Sequence, residues 1–171
     1  VGKWHLGAHE SLRPLNRGFD EFFGFLTGGH QYFPEQWNLA DETEVKCNFC
    51  AYRTKLLRNE ERIDEKDYLT DALSRETVSF IERSSNSPFF IYLAYNAPHG
   101  PLQATEKYLK RYSHIKDKRR KTYAAMVSSI DDGVGKIVST LKEKNIYDNT
   151  IIYFLSDLSL IHISEPTRRT T

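Results

Sequence analysis

The sequence predicts an α/β fold, a mostly parallel sheet held between helix layers, and three stretches carry the reading. Residues 89–95, Phe-Phe-Ile-Tyr-Leu-Ala-Tyr, form an apolar run without alternation, the pattern of a strand covered on both faces. Residues 151–155, Ile-Ile-Tyr-Phe-Leu, form a second such run. Between them, from about 120 to 144, lies the longest helical pattern, with Tyr123, Met126, Val127, Ile130, Val134, Ile137, Val138 and Leu141 at intervals of three and four. Strand, helix and strand in that order give a right-handed crossover between parallel strands. Both strands then finish on one sheet edge, His99 just after the first and Asp157 just after the second, where open α/β sheets place their ligands.

The totals set the outer limits. With 171 residues and 39% hydrophobic content, the chain is globular and long enough for one domain with a real core. Lys+Arg 24 against Asp+Glu 23 leaves a net charge of +1, so no overall field draws it to nucleic acid or an anionic membrane. Any anion recognition must be local. No apolar run approaches the ~20 residues of a membrane span. The chain opens Val1-Gly2-Lys3, neither an initiator Met nor a signal peptide, and reads as cut ahead of Val1. Oligomeric state is not legible.

Taken in order, Gly2-Lys3-Trp4-His5-Leu6-Gly7 sets a cation and an imidazole two apart between glycines. In an extended segment both point the same way, an anion-binding arrangement; the plainer alternative is a surface turn. His5 and His9 would share a helix face as zinc ligands, but Gly7 between them argues against that helix. Four Phe and two Gly within residues 18–25 suggest a packed, irregular connection. Residues 28–33 form a loop able to line a pocket, and the polar stretch 41–65 reads as an exposed excursion with a short strand at 54–57. Cys47 and Cys50, the only cysteines, are half a zinc site, a local disulfide or two free thiols.

A helix capped by Asp67 or Thr70 and running to about Arg83 places Leu69, Ala72, Leu73, Thr77, Phe80 and Ile81 on one stripe. Pro98 and Pro101 then fix a bend that lifts His99 off the end of the first strand. The five basic residues within 116–121 read as a solvated helix start. Gly133 and Gly135 inside the long helix suggest close packing. Asp131 and Asp132 read as hydrogen-bonded or exposed rather than as metal ligands.

In Lys3, His5, Pro98-His99 and Ser156-Asp157 together, the chain resembles a type I sulfatase, of the formylglycine-dependent, alkaline-phosphatase-like superfamily. The resemblance covers residues 1–157 and rests on Gly2-Lys3-Trp4-His5-Leu6-Gly7, Arg17-Gly18-Phe19-Asp20, Phe22-Phe23-Gly24, Ala97-Pro98-His99-Gly100-Pro101, residues 126–135 and Asp148-Asn149-Thr150. It implies an alkaline-phosphatase/sulfatase-like sheet, incomplete at both ends in this chain, with 1–157 a partial catalytic domain. It implies that Lys3 binds the sulfate oxygens, that His5 bonds to the formylglycine hydroxyl, and that His99 binds the ester and protonates the leaving alcohol. Asp157 would be a metal ligand, to calcium. The substrate would be a sulfated small molecule or glycan, in an extracellular, periplasmic or lysosomal compartment.

Three departures qualify this. The Cys/Ser-x-Pro-x-Arg element whose first residue becomes formylglycine is missing, and it would precede Gly2. The upstream acidic calcium ligands are missing as well. At the far end, Leu158 stands where the family has an asparagine, and residues 158–171 resemble a translated sequencing adapter, a non-native tail. The implied function is sulfate ester hydrolysis by the intact parent, with these residues alone inactive. Phosphate or phosphonate ester hydrolysis on the same fold is the alternative, and a non-catalytic glycan-binding or inert truncated product is the third reading.

Overall fold

The computed structural model of the chain describes residues 1–40, 47 and 49–156. Four short strands, β1 (Gly2–Lys3), β2 (Phe23–Phe25), β3 (Leu56–Arg58) and β4 (Glu61–Ile63), make one sheet in that order. β1 and β2 run parallel, with Gly2 opposite Gly24 and Lys3 opposite Phe25. β3 is antiparallel to both β2 and β4. The α/β class holds, and the described part of the sheet is mixed. The β3–β4 hairpin lies in the stretch read as an excursion with a strand at 54–57. Asn59 makes its turn at φ 56°, a left-handed conformation that Asn tolerates well.

Burial on both faces, expected for residues 89–95, belongs instead to β2 and β3. Phe23, Phe25 and Leu56 enter the main core with Tyr32, Leu69 and Met126. Phe22, Leu26 and Leu57 form a second cluster on which Trp4 and Leu15 pack. Residues 92–94 lie parallel to β1, with Ala94 N–H donating to the Val1 carbonyl at 2.9 Å and Lys3 N–H to the Ala94 carbonyl at 2.9 Å. Their outer side is open: Phe90 is 75% and Tyr92 50% exposed.

The second expected strand departs further. Residues 151–155 pair with no strand among the described residues, and Ile151, Tyr153, Phe154 and Leu155 are all at least 79% exposed. An apolar run buries only where a sheet edge and a covering layer receive it, and among the described residues neither meets this one. Each such side chain forgoes about 1.5–3 kcal/mol of burial.

Helices cover the main core. α1 (Leu69–Ser84) buries Leu69, Ala72, Leu73, Thr77 and Ile81, the expected stripe with Phe80 at its edge. Neither Asp67 nor Thr70 caps it: Tyr68 holds the cap position without a side-chain bond, while Asp67 pairs with Arg75. α2 (Glu106–Leu109) inserts the fully buried Tyr108 between α1 and α3, where its hydroxyl donates to Asp71 Oδ1 at 2.6 Å. α3 (Lys118–Glu143) is capped by Asp117, whose Oδ1 accepts Arg120 N–H at 2.6 Å, so the basic run is its solvated first turn. Its buried side carries Ala125, Met126, Ser129 and Gly133, whereas Val127 is 41% exposed. Small residues there let α1 approach closely. Asp132 binds Arg111 through both carboxylate oxygens at 2.7 Å, which accounts for it without a metal.

Candidate functional site

The site is built on the loop that leaves β2. His5 N–H donates to the Leu26 carbonyl at 3.1 Å, and its backbone sits at φ 55°. A left-handed conformation is uncommon for a residue with a Cβ, and such strain gathers at functional positions. The His5 imidazole lies over Gly28, where a Cβ would come within 2.6 Å of Nε2. Next along the loop, Tyr52 lies over Gly29, and a Cβ there would come within 2.7 Å of its ring. Only a residue without a side chain leaves room for either ring.

His99 reaches the same loop from the other direction. Its N–H donates to the Asn96 carbonyl at 2.9 Å, closing a turn that holds the cis Ala97-Pro98 peptide bond, with a second cis bond, Gly100-Pro101, just after it. Two side chains fasten that turn to the loop: Tyr32 O–H donates to the His99 carbonyl at 2.8 Å, and Asn96 Nδ2 donates to the His30 carbonyl at 2.9 Å. Tyr32 is fully buried; burial, with the neighbouring Tyr68 adding to it, pushes its phenol well above the ordinary range, so it stays a donor. The Tyr52 and His99 rings meet edge to face, centroids 6.4 Å apart. His5 and His99, 94 positions apart in the chain, thus flank one short loop through Gly28, Gly29 and Tyr52.

The exposed His99 ring places Nδ1 2.7 Å from the Gly100 carbonyl. A carbonyl only accepts, so Nδ1 carries the hydrogen and Nε2 is left for a ligand. Lys3, two residues before His5 at the end of β1, is half-buried and lines a narrow crevice with Trp4, Phe19, Glu21, Phe22 and Tyr92. Asp157 and the tail 158–171 lie outside the described residues. A larger cavity of about 380 Å³ at the far end of α3, lined by Lys142, Asn145, Tyr147 and Asp148, touches none of these groups.

Among the described residues no three His, Cys, Asp or Glu side chains gather as metal ligands. His9 caps a short turn by accepting Ser11 N–H at 3.3 Å, which removes it from any pairing with His5. Cys47 and Cys50 form a disulfide. That resolves the alternatives left by the sequence, and it closes the turn that leads to Tyr52.

Sequence reasoning missed three contributors. His30 is fully buried, its Nε2 2.8 Å from the Thr54 carbonyl, and it clamps the loop to the segment carrying Tyr52. Gln103 accepts Tyr32 N–H through Oε1 at 2.9 Å. Tyr52 itself stood in a stretch read as an excursion, and only its position beside Cys50 hinted at a fixed place.

The family model described as Sulfatase matches residues 1–162. Arylsulfatase J of Mus musculus is 34% identical over 92% of this chain and 26% of its own length. N-acetylgalactosamine-6-sulfatase of Mus musculus is 35% identical over 97% of this chain and 31% of its own. Among solved structures, Ps i-CgsB in complex with k-i-k-neocarrahexaose superposes with a TM-score of 0.80 at 49% identity, over 86% of this chain and 34% of that one. The chain therefore spans about a quarter to a third of the length of these three relatives.

Proposed function

Because the chain belongs to the sulfatase family, we propose that the protein carrying it hydrolyses sulfate esters, with a sulfated saccharide as substrate. The observation that supports this most is the convergence of His5 and His99 on one glycine loop. The names of the relatives and the hexaose bound by the 49% identical structure favour a saccharide.

In this reading Lys3 places a fixed ammonium against the sulfate oxygens and offsets charge that grows on them as the S–O bond breaks. His99, its Nδ1 held by the Gly100 carbonyl, presents protonated Nε2 to the ester oxygen and delivers that proton to the departing alcohol. His5, fixed by its own backbone bond to Leu26, holds or moves a proton at the nucleophile's hydroxyl. Formylglycine would supply that hydroxyl, and calcium would supply a cation to offset the sulfate charge. Of the calcium ligands this chain contributes Asp157. Among the described residues no three His, Cys, Asp or Glu side chains gather as a calcium site. A disulfide at Cys47–Cys50 suits an extracellular, periplasmic or lysosomal compartment. No described helix is long and apolar enough to cross a membrane.

The test is kinetic, on the full-length protein with 4-nitrophenyl sulfate and 4-nitrophenyl phosphate. Lys3→Ala and His99→Ala are each expected to lower kcat/KM on the sulfate by about 100-fold or more with the fold intact. A wild-type preference for the phosphate would instead assign phosphate ester hydrolysis, and full activity in both variants would refute the roles of Lys3 and His99.

A further inference from the structure

Beside the candidate site stands an aromatic surface that the proposed chemistry does not use. Phe49 is 71% exposed, a large apolar ring kept in water on a protein with ample core to receive it. It is held in place. Cys47 and Cys50, on either side of it in sequence, are joined by a disulfide, and the turn is closed again by Cys50 N–H donating to the Cys47 carbonyl at 3.0 Å and Tyr52 N–H to the Phe49 carbonyl at 3.1 Å. Phe49 then meets Tyr52 edge to face, centroids 5.6 Å apart, and Tyr52 meets His99 in the same way at 6.4 Å. Tyr52 is itself fixed, over Gly29 and by the bond from Gln31 N–H to its carbonyl at 2.8 Å. The three rings make a stepped surface that starts at His99 and ends in solvent at Phe49.

We infer that Phe49, braced by Tyr52 and fastened by the Cys47–Cys50 disulfide, is the floor of a sugar subsite next to His99, taking a pyranose ring joined to the sulfated unit. This rests on the sulfatase reading of His99. The C–H bonds on one face of a pyranose are polarised toward hydrogen and meet the electron-rich face of an aromatic ring, while the hydroxyls at its edge stay in water. An exposed Phe serves such a ligand well, because a neutral sugar face needs area and no charge. Each ring-to-ring step is comparable with the spacing of neighbouring sugars in a chain, so an oligosaccharide with its ester at His99 passes over Phe49 with the next units. A small aryl sulfate ends before reaching it. Phe49 therefore selects between substrates and takes no part in the bond broken.

The experiment uses the full-length protein with k-i-k-neocarrahexaose and 4-methylumbelliferyl sulfate as probes. It compares wild type, Phe49→Ala and Phe49→Trp by steady-state kinetics, and by calorimetric binding of the hexaose. Phe49→Ala is expected to raise KM and Kd for the hexaose about tenfold, leave kcat and both aryl sulfate constants within about twofold, and keep the melting midpoint, with Phe49→Trp restoring hexaose affinity. An unchanged hexaose KM and Kd in Phe49→Ala overturns the inference, and so does an equal loss on both substrates, which marks a structural role. Wild-type turnover of the aryl sulfate without hexaose binding overturns the subsite and leaves the hydrolase standing. Hexaose binding that depends on Phe49, with no sulfate released from either probe, does the reverse. Neither binding nor turnover overturns both.

Discussion

The packing of α3 on α1 makes a prediction whose sign differs at two glycines only two residues apart. Both lie inside α3, where replacing Gly by Ala gains about 1 kcal/mol of helix propensity. At Gly135 an added Cβ meets nothing within 4 Å, so Gly135→Ala is expected to stabilise by about that amount. At Gly133 the same Cβ would lie 2.2 Å from Ser74 Oγ and 2.5 Å from the Tyr95 hydroxyl. Those two oxygens are bonded to each other at 2.8 Å, and Ser74 also donates to the Thr70 carbonyl at 2.7 Å. Tyr95 cannot swing its rigid ring aside cheaply, so the helices must part or the pair must break. Overpacking of this kind costs about 1–3 kcal/mol, and the disturbed hydrogen bond about 0.5–1.5 kcal/mol more. Less the propensity gain, Gly133→Ala is expected to destabilise by roughly 1–3 kcal/mol. Urea unfolding of the full-length protein, followed by a far-ultraviolet signal, reads both variants. Stabilisation by Gly133→Ala, or equal effects at the two positions, would refute the close approach of α1 and α3.

Three further outcomes follow from the same structure. Tyr108→Phe removes the donor to Asp71 and is expected to cost about 1.5–3 kcal/mol in the same unfolding assay, whereas a neutral result would mean that water serves Asp71 equally well. Burial opposes the charge on Glu76, but hydrogen bonds from Arg58 and Arg75 outweigh it and hold the carboxyl below its ordinary value. A lowered folded-state pKa gives stability that is present above the unfolded value, about 4.3, and lost as pH falls through the folded one. Glu76→Gln should therefore flatten the acid limb of the stability profile, and an unchanged limb would remove Glu76 from it. Expressed by themselves, these 171 residues are expected to be poorly soluble and without sulfatase turnover, since residues 151–155 and the outer side of 90–92 stand open. A monomeric, cooperatively melting product, or measurable turnover, would contradict that.

What could be read from the sequence followed from periodicity and punctuation. α1 and α3 were legible because their apolar intervals survive burial, although the cap of α1 was misplaced: Asp67 turns to Arg75 instead. The runs 89–95 and 151–155 were legible as apolar but not as buried, because burial needs a partner that a run of residues does not specify. β4 was missed since Glu61, Arg62 and Ile63 carry no strong strand composition, and their hydrogen bonds to β3 supply what propensity lacks. At the site, His5 and His99 stood out by their glycine and proline surroundings. The residues that join them, His30, Tyr32, Asn96 and Tyr52, did not, because a buried hydrogen bond between segments so far apart leaves no local pattern.

The central proposal is that His5 and His99 face one bound anion together and that Lys3, two residues before His5, adds its charge to the same site. Histidine side-chain NMR of the full-length protein, with His5 and His99 assigned by substitution and inorganic sulfate titrated in, measures this directly. The account predicts that both imidazoles shift along one saturation curve and that Lys3→Ala weakens it. Shifts at different sulfate concentrations, or in only one of the two rings, would contradict it.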